Sequence, residues 1–242
     1  MLSLRNEFSG MLRGPYLRKG LMLVLSCAGL TWGFHVFPVS EDIDELRSLR
    51  SQLLHSETFS QQALATELSI SNSQSDCDSD AQVALLLIEM RLAEASLRAG
   101  DVTQFDRHAG SLQLRAKRTL SCAPRQSFVW LIAFSLTVLH GQLDSDSIGM
   151  LALSYKTSPD EAWIAMRRNF VAVPIVQLLP EALSQGVLSE FQQLIRDGFE
   201  AEASRSFLRA TGPVRSLLQA RVEGLDEPRQ EAFWKAFKNV GS

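Results

Sequence analysis

The sequence predicts an all-α protein in which one N-terminal transmembrane helix precedes an antiparallel helical-repeat domain. An uncharged, mostly apolar segment covers residues 20–39, which matches the roughly 20 residues that a helix needs to cross a bilayer. Beyond residue 80, apolar residues recur every three or four positions in successive segments, as on one face of a helix. The chain has only eight prolines and fourteen glycines, and most of those beyond residue 80 fall between these segments, whereas a β-sandwich needs a turn about every 8–12 residues.

Length and composition allow a sizeable folded domain. The chain has 242 residues, of which 45% are apolar, so a hydrophobic core can form and wholesale disorder is excluded. The net charge of -3 and the pI of about 5.8 do not support nucleic-acid binding, because that binding requires a basic surface to neutralise phosphates.

Charges on either side of the apolar segment predict its orientation. Residues 1–19 form a basic tail, and acidic residues follow residue 39. Because basic flanks stay in the cytoplasm, the rest of the chain is predicted to lie outside it. The alternatives are a cleavable signal peptide, which lacks a small-x-small site here, a lipoprotein acylated at Cys27, and a buried helix of a soluble protein. We favour a retained anchor over these three and over the reversed topology.

Residues 40–68 are predicted to form an amphipathic stalk helix, which either packs on the domain, as we favour, or dimerises. Residues 69–79 form a Ser-rich linker, and residues 80–242 form the helical-repeat domain. The apolar run over residues 128–139 is too short to span a membrane and is predicted to be a central core helix.

Within the domain, caps and turn residues predict the helix boundaries. A first helix over residues 81–99, capped by Ser79 or Asp80, ends at Gly100 and is followed by an antiparallel helix over residues 102–120. Residues 170–176 have a strand-like composition but are predicted to be helical. A third helix is predicted to start at Pro124, and a fourth covers residues 145–155. A fifth starts at residues 159–161, with a kink or stop at Pro174 and a restart after Pro180. Further helices are predicted over residues 187–196, 200–210, 214–223 and 227–239.

Cys77 and Cys122 flank the predicted helical hairpin. Each of its helices is about 30 Å long, so the chain returns to the end from which it started and the two sulfur atoms become neighbours. Outside the cytoplasm they can form a disulfide, which would stabilise the fold by about 4 kcal/mol in the chain-entropy model. The alternative is two free thiols, and Cys27 is predicted to be an inert thiol in the anchor.

Residues 80–180 resemble tetratricopeptide repeats. Pro124 and Pro159 lie 35 residues apart, each followed by a tryptophan, Trp130 or Trp163, and this spacing is close to the tetratricopeptide period of about 34 residues. Not all positions of the tetratricopeptide pattern hold the residue types that the repeat requires. The whole chain resembles small, membrane-anchored helical envelope proteins of Gram-negative bacteria, through its anchor, its Cys-to-Cys hairpin and residues 158–169. That resemblance implies a scaffold in the periplasm, bound to the inner membrane, and supplies no catalytic residues.

No catalytic, cofactor-binding or metal-binding residue is predicted, because the sequence contains no C-x-x-C, H-E-x-x-H, G-x-S-x-G or Walker lysine motif. The candidate binding surface is Trp163 with Arg167 and Arg168, since guanidinium groups beside an indole can bind an acidic polysaccharide or an acidic segment of a protein. The alternative is a solvated or salt-bridged arginine pair. Trp234 is a further candidate, either exposed or closing the end of the repeat.

We therefore predict an interaction or scaffold protein with a protein partner in the cell envelope, accessory to polysaccharide or secretion machinery. The alternative is an envelope enzyme or carbohydrate-processing factor with an unrecognised site. A deep cleft holding two carboxylates about 5–10 Å apart would favour that alternative.

Overall fold

The computed structural model describes residues 19–32, 48–49, 51–52, 59–71, 78–159 and 161–241. All regular secondary structure in these ranges is helical, which confirms the all-α prediction. Within the same ranges, no helix combines the length and the apolar character that crossing a membrane requires. Residues 19–32 are helical with exposed side chains, and residues 33–39 of the predicted anchor lie outside the described residues.

The helices follow one another with short connections. Their bounds are α1 Gln61–Ser71, α2 Ser79–Ala99, α3 Val102–Cys122, α4 Ser127–Leu139, α5 Ser145–Thr157, α6 Ala162–Ala172, a 3-10 helix Val173–Leu178, α7 Glu181–Arg196, α8 Glu200–Arg209, α9 Gly212–Glu223 and α10 Glu227–Val240.

The helix predicted over residues 40–68 is interrupted. Phe59 and Ser60 are not helical, because the Ser60 hydroxyl accepts a hydrogen bond from the Ala63 amide at 3.1 Å and so begins a new helix there. α1 packs against α2, and Leu64 is buried in the same core as the helices that follow. α1 is therefore part of the folded domain.

α2 and α3 form the predicted antiparallel hairpin. Arg115 donates a hydrogen bond to Gln82 at 3.0 Å, and His108 Nδ1 lies 2.7 Å from Glu89 Oε1, which fixes the register between the two helices. Gly100 ends α2 with a φ of +74°, a conformation that glycine adopts without steric penalty.

The N-cap of α2 is Asp78, one or two residues before the predicted Ser79 or Asp80. Asp78 Oδ1 accepts hydrogen bonds from the amides of Asp80 and Ala81 at 3.0 and 2.8 Å. All three side chains are short and polar, and only the backbone geometry distinguishes the residue that caps the helix.

Three other boundaries differ from the prediction. α4 begins at Ser127, because Pro124 lies in the preceding turn, where its carbonyl accepts a hydrogen bond from Trp130 Nε1 at 2.8 Å. α6 begins only at Ala162. α7 begins at Glu181, directly after Pro180 as predicted, but it continues to Arg196 without the boundary that was predicted at residue 187. Residues 170–176 are helical, as predicted, and the chain changes from α-helix to 3-10 helix just before Pro174, which lacks an amide donor.

α4 lies at the centre of the core, as predicted for residues 128–139. Phe128, Val129, Leu131 and Phe134 are buried, and α4 packs against α3, α5 and α6. A second part of the core, formed by α7, α8 and α10, contains a group of aromatic rings in edge-to-face contact: Phe191, Phe207, Phe233, Trp234 and Phe237.

Candidate binding groove

An open groove of about 520 Å³ lies among α2, α3, α4, α6 and α8. Its volume is within the range of ligand-binding pockets. Its lining is mainly apolar, and we call it the α4 groove. The lining residues are Met90, Ala93, Glu94, Leu97, Phe105, Ala109, Leu112, Phe128, Leu131, Ile132, Ser135, Leu136, Leu139, Met166, Arg167, Phe170, Val171, Glu202 and Arg205.

Helical periodicity places these residues in stripes. Met90, Ala93 and Leu97 follow one another by three and four residues and therefore share one face of α2. The base of the groove is closed by the buried side chains of α4, whereas the rim is exposed: Leu97 and Leu139 have 60% and 54% of their surface accessible to solvent. The exposed apolar surface is thus continuous with the core beneath it.

The carboxylates of the α4 groove are paired with arginines. Glu94 Oε2 lies 3.7 Å from Arg91 Nη1 and 4.0 Å from Arg98 Nη1. Glu202 Oε1 lies 3.0 Å from Arg205 Nη1. These pairs are solvent-exposed, so each contributes little to stability. They do neutralise both acidic groups that line the groove.

Arg167 differs from the other charged residues of the groove, because it forms no ion pair with a carboxylate of the described residues. Its Nη1 donates a hydrogen bond to the Trp163 carbonyl at 3.2 Å, and its guanidinium lies 5.6 Å from the Trp163 ring. Among the described residues, no carboxylate lies within 4 Å of this guanidinium. Burial lowers the pKa of Arg167, and the neighbouring charge of Arg91 lowers it further, against an opposing effect of Glu94.

The predicted association of Trp163 with Arg167 is present. Trp163 is half-buried and packs against Phe128 in the base of the groove, with ring centroids 4.9 Å apart. The indole therefore supports the wall from which the Arg167 guanidinium extends.

The assignment of Arg168 to a binding surface is wrong. Arg168 has no exposed surface and forms an ion pair with Glu190 through both Nε, at 2.9 Å, and Nη2. Its Nη1 donates hydrogen bonds to the carbonyls of Ser154 and Ser158 at 2.9 and 3.2 Å. Consecutive residues point in different directions around a helix, so Arg167 faces the groove while Arg168 faces the core.

Tyr155 completes this buried cluster, which joins α5, α6 and α7. Its hydroxyl donates a hydrogen bond to Glu190 Oε2 at 2.8 Å, and the Arg168 guanidinium lies 3.9 Å from its ring centroid. Burial raises the pKa of Glu190, whereas the charge of Arg168 lowers it. Burial also raises the pKa of Tyr155 well above its ordinary value. Sequence reasoning missed Tyr155 and Glu190, since neither belongs to a recognisable motif.

Trp234 does not join the other candidate binding residues. It is half-buried on α10 and packs edge-on against Phe207, with ring centroids 5.7 Å apart. α10 contributes no residue to the lining of the α4 groove. The structure therefore brings Trp163 and Arg167 together and leaves Trp234 in a separate aromatic cluster.

Cys122 is the last residue of α3 and lies at the end of the hairpin where α2 begins. It is exposed, and its Sγ lies 3.7 Å from the Arg118 carbonyl oxygen. Cys77 lies outside the described residues, so the disulfide between the two remains a prediction.

Among the residues that the structure describes, no group of three or more His, Cys, Asp or Glu side chains is placed to hold a metal ion. No family model, no curated protein and no solved structure matches this chain. We therefore infer a function from the geometry of the α4 groove.

Proposed function

We propose that this protein is an interaction protein whose α4 groove binds an amphipathic helix of a protein partner. The observation that carries the proposal is the open apolar groove, with a buried base and exposed leucines on its rim. A concave, mainly apolar site with exposed apolar residues on its rim is the default candidate for a binding site.

The length of the groove suits a helical occupant. The α4 residues that line it extend from Phe128 to Leu139, which is about 17 Å along the helix axis, so a partner helix of about that length can lie along it. Such a helix would insert apolar side chains at positions i, i+3, i+4 and i+7, as in other complexes in which a groove holds a helix.

We further propose a tetratricopeptide-like arrangement and a periplasmic location. The antiparallel α2–α3 hairpin and the short connections that follow it support the repeat. In the helix over residues 19–32, no charged residue follows Lys19, which supports an anchor over residues 20–39 in a bacterial inner membrane. The partner would then belong to the cell envelope, for example to polysaccharide or secretion machinery.

Site-directed photocrosslinking tests the groove in intact cells. A benzophenone amino acid placed at Leu97 or Leu139 should yield a crosslinked partner band after irradiation. Leu114, which is 61% exposed and does not line the groove, matches the 60% exposure of Leu97 and is the control. Adducts at the two groove positions and none at Leu114 would support the proposal, whereas identical patterns at all three, or no adduct in the groove, would refute it.

A further inference from the structure

We infer that the helix bound in the α4 groove carries an acidic side chain that pairs with Arg167. This inference rests on the proposed function and specifies the chemistry of the partner. It is carried by the position of Arg167 in the wall of an apolar groove, without a carboxylate within 4 Å among the described residues.

Within the described residues, Arg167 donates most of its N–H groups to no protein acceptor. A guanidinium has five N–H donors, and the hydrogen bond to the Trp163 carbonyl satisfies one of them. The side chain is half-buried, so an occupant that covers the groove would remove much of its remaining water. A carboxylate from the occupant can replace that water with two parallel hydrogen bonds to the guanidinium.

The charge around the groove also favours an acidic occupant. Arginines at positions 91, 98, 167, 205 and 209 line the groove or contact its lining residues, whereas Glu94 and Glu202 are the acidic residues that do so within the part of the chain that the structure describes. This gives a local excess of three positive charges on a chain whose net charge is -3. Complementary charge of this kind guides a partner to the correct site and orientation.

The surrounding surface favours a carboxylate over a phosphate group. Phosphate recognition commonly uses a cluster of arginines. Here Arg91, Arg98 and Arg205 already contact carboxylates, and the Arg209 guanidinium lies over the Phe170 ring at 4.3 Å. One arginine between apolar stripes suits one acidic residue on an otherwise apolar helix face.

A displayed library of 16-residue helices, with apolar and polar positions randomised, tests the inference on the full chain in lipid nanodiscs. We expect the selected helices to share apolar residues at helical spacing and an Asp or Glu at one fixed position. Arg167→Gln should abolish the preference for the acid, and it should weaken binding of the selected helices about 10- to 100-fold. Arg167→Glu should change the preference to Lys or Arg. The control Arg107→Gln changes an exposed arginine that does not line the groove and that donates a hydrogen bond to Gln104 of its own helix at 2.9 Å, so it should retain the acid.

The outcomes distinguish the two proposals. Failure to select any helix, or equal binding by a Leu97→Arg, Leu139→Arg variant that folds normally by circular dichroism, would refute the proposed function and this inference together. Helices selected without an acid, or an acid preference that persists in Arg167→Gln, would refute the inference alone. If no helix is selected and dodecanoate binds in a manner that depends on Arg167, the groove would be assigned to a fatty acid. That result would overturn both the proposed function and this inference.

Discussion

Removal of the Glu190 carboxylate should destabilise the protein severely. In Glu190→Ala, the Arg168 guanidinium stays without solvent access and loses the partner to which it donates two hydrogen bonds. Breaking a buried ion pair from one side decreases the free energy of unfolding by about 3–5 kcal/mol. For a domain of this size, that loss corresponds to a fall in Tm of about 6–20 °C.

Urea titration and thermal melting followed by circular dichroism would measure both quantities. Glu202→Ala is the control, since Glu202 pairs with Arg205 at the surface and its loss should decrease stability by less than about 1 kcal/mol. The double variant Arg168→Met, Glu190→Leu should recover much of the stability, because it leaves no unpaired buried charge. A loss below about 1 kcal/mol in Glu190→Ala, or a double variant no more stable than Glu190→Ala, would refute the reasoning.

Three further predictions follow. In Arg168→Met, loss of the guanidinium that opposes the effect of burial should raise the pKa of Glu190 further above the ordinary 4.5. Urea titrations should therefore show greatest stability at acid pH and a decrease as pH rises through the folded pKa. Asp78→Ala should decrease the free energy of unfolding by about 1 kcal/mol, whereas Asp78→Asn should leave it nearly unchanged; equal losses would contradict the capping role. Cys77 and Cys122 should react with maleimide only after reduction in denatured samples, and a C-terminal alkaline phosphatase fusion should be active; reactive thiols with an inactive fusion would contradict the predicted disulfide and topology.

The sequence predicted most of the helices because their signals are local. A continuous apolar run identifies α4, and Gly100 is suited to the left-handed conformation that ends α2. The boundaries at Pro124 and Asp78 depend on hydrogen bonds that only the folded backbone determines. The break at Ser60 was missed, because apolar residues at helical spacing continue on both sides of it.

The site was harder to predict because it joins distant parts of the chain. The lining of the α4 groove comes from five helices, and sequence spacing within one helix identified only the Trp163–Arg167 contact. The Arg168–Glu190 pair links residues 22 positions apart, so no local pattern indicates it. Whether an arginine on α6 faces water or the core depends on which side of α6 the neighbouring helices cover.

The adjacent residues Arg167 and Arg168 allow binding to be separated from folding. Arg167→Gln removes one hydrogen bond to the carbonyl of its own helix and an indole contact, so the free energy of unfolding should fall by no more than about 1 kcal/mol. Arg168→Gln leaves Glu190 without its guanidinium in the core and should cost about 3–5 kcal/mol near neutral pH. Crosslinking through Leu97 should therefore be weakened in Arg167→Gln at normal protein abundance, whereas Arg168→Gln should lower abundance itself. Equal losses of stability in Arg167→Gln and Arg168→Gln would show that Arg167 stabilises the fold and would contradict its role in binding a partner.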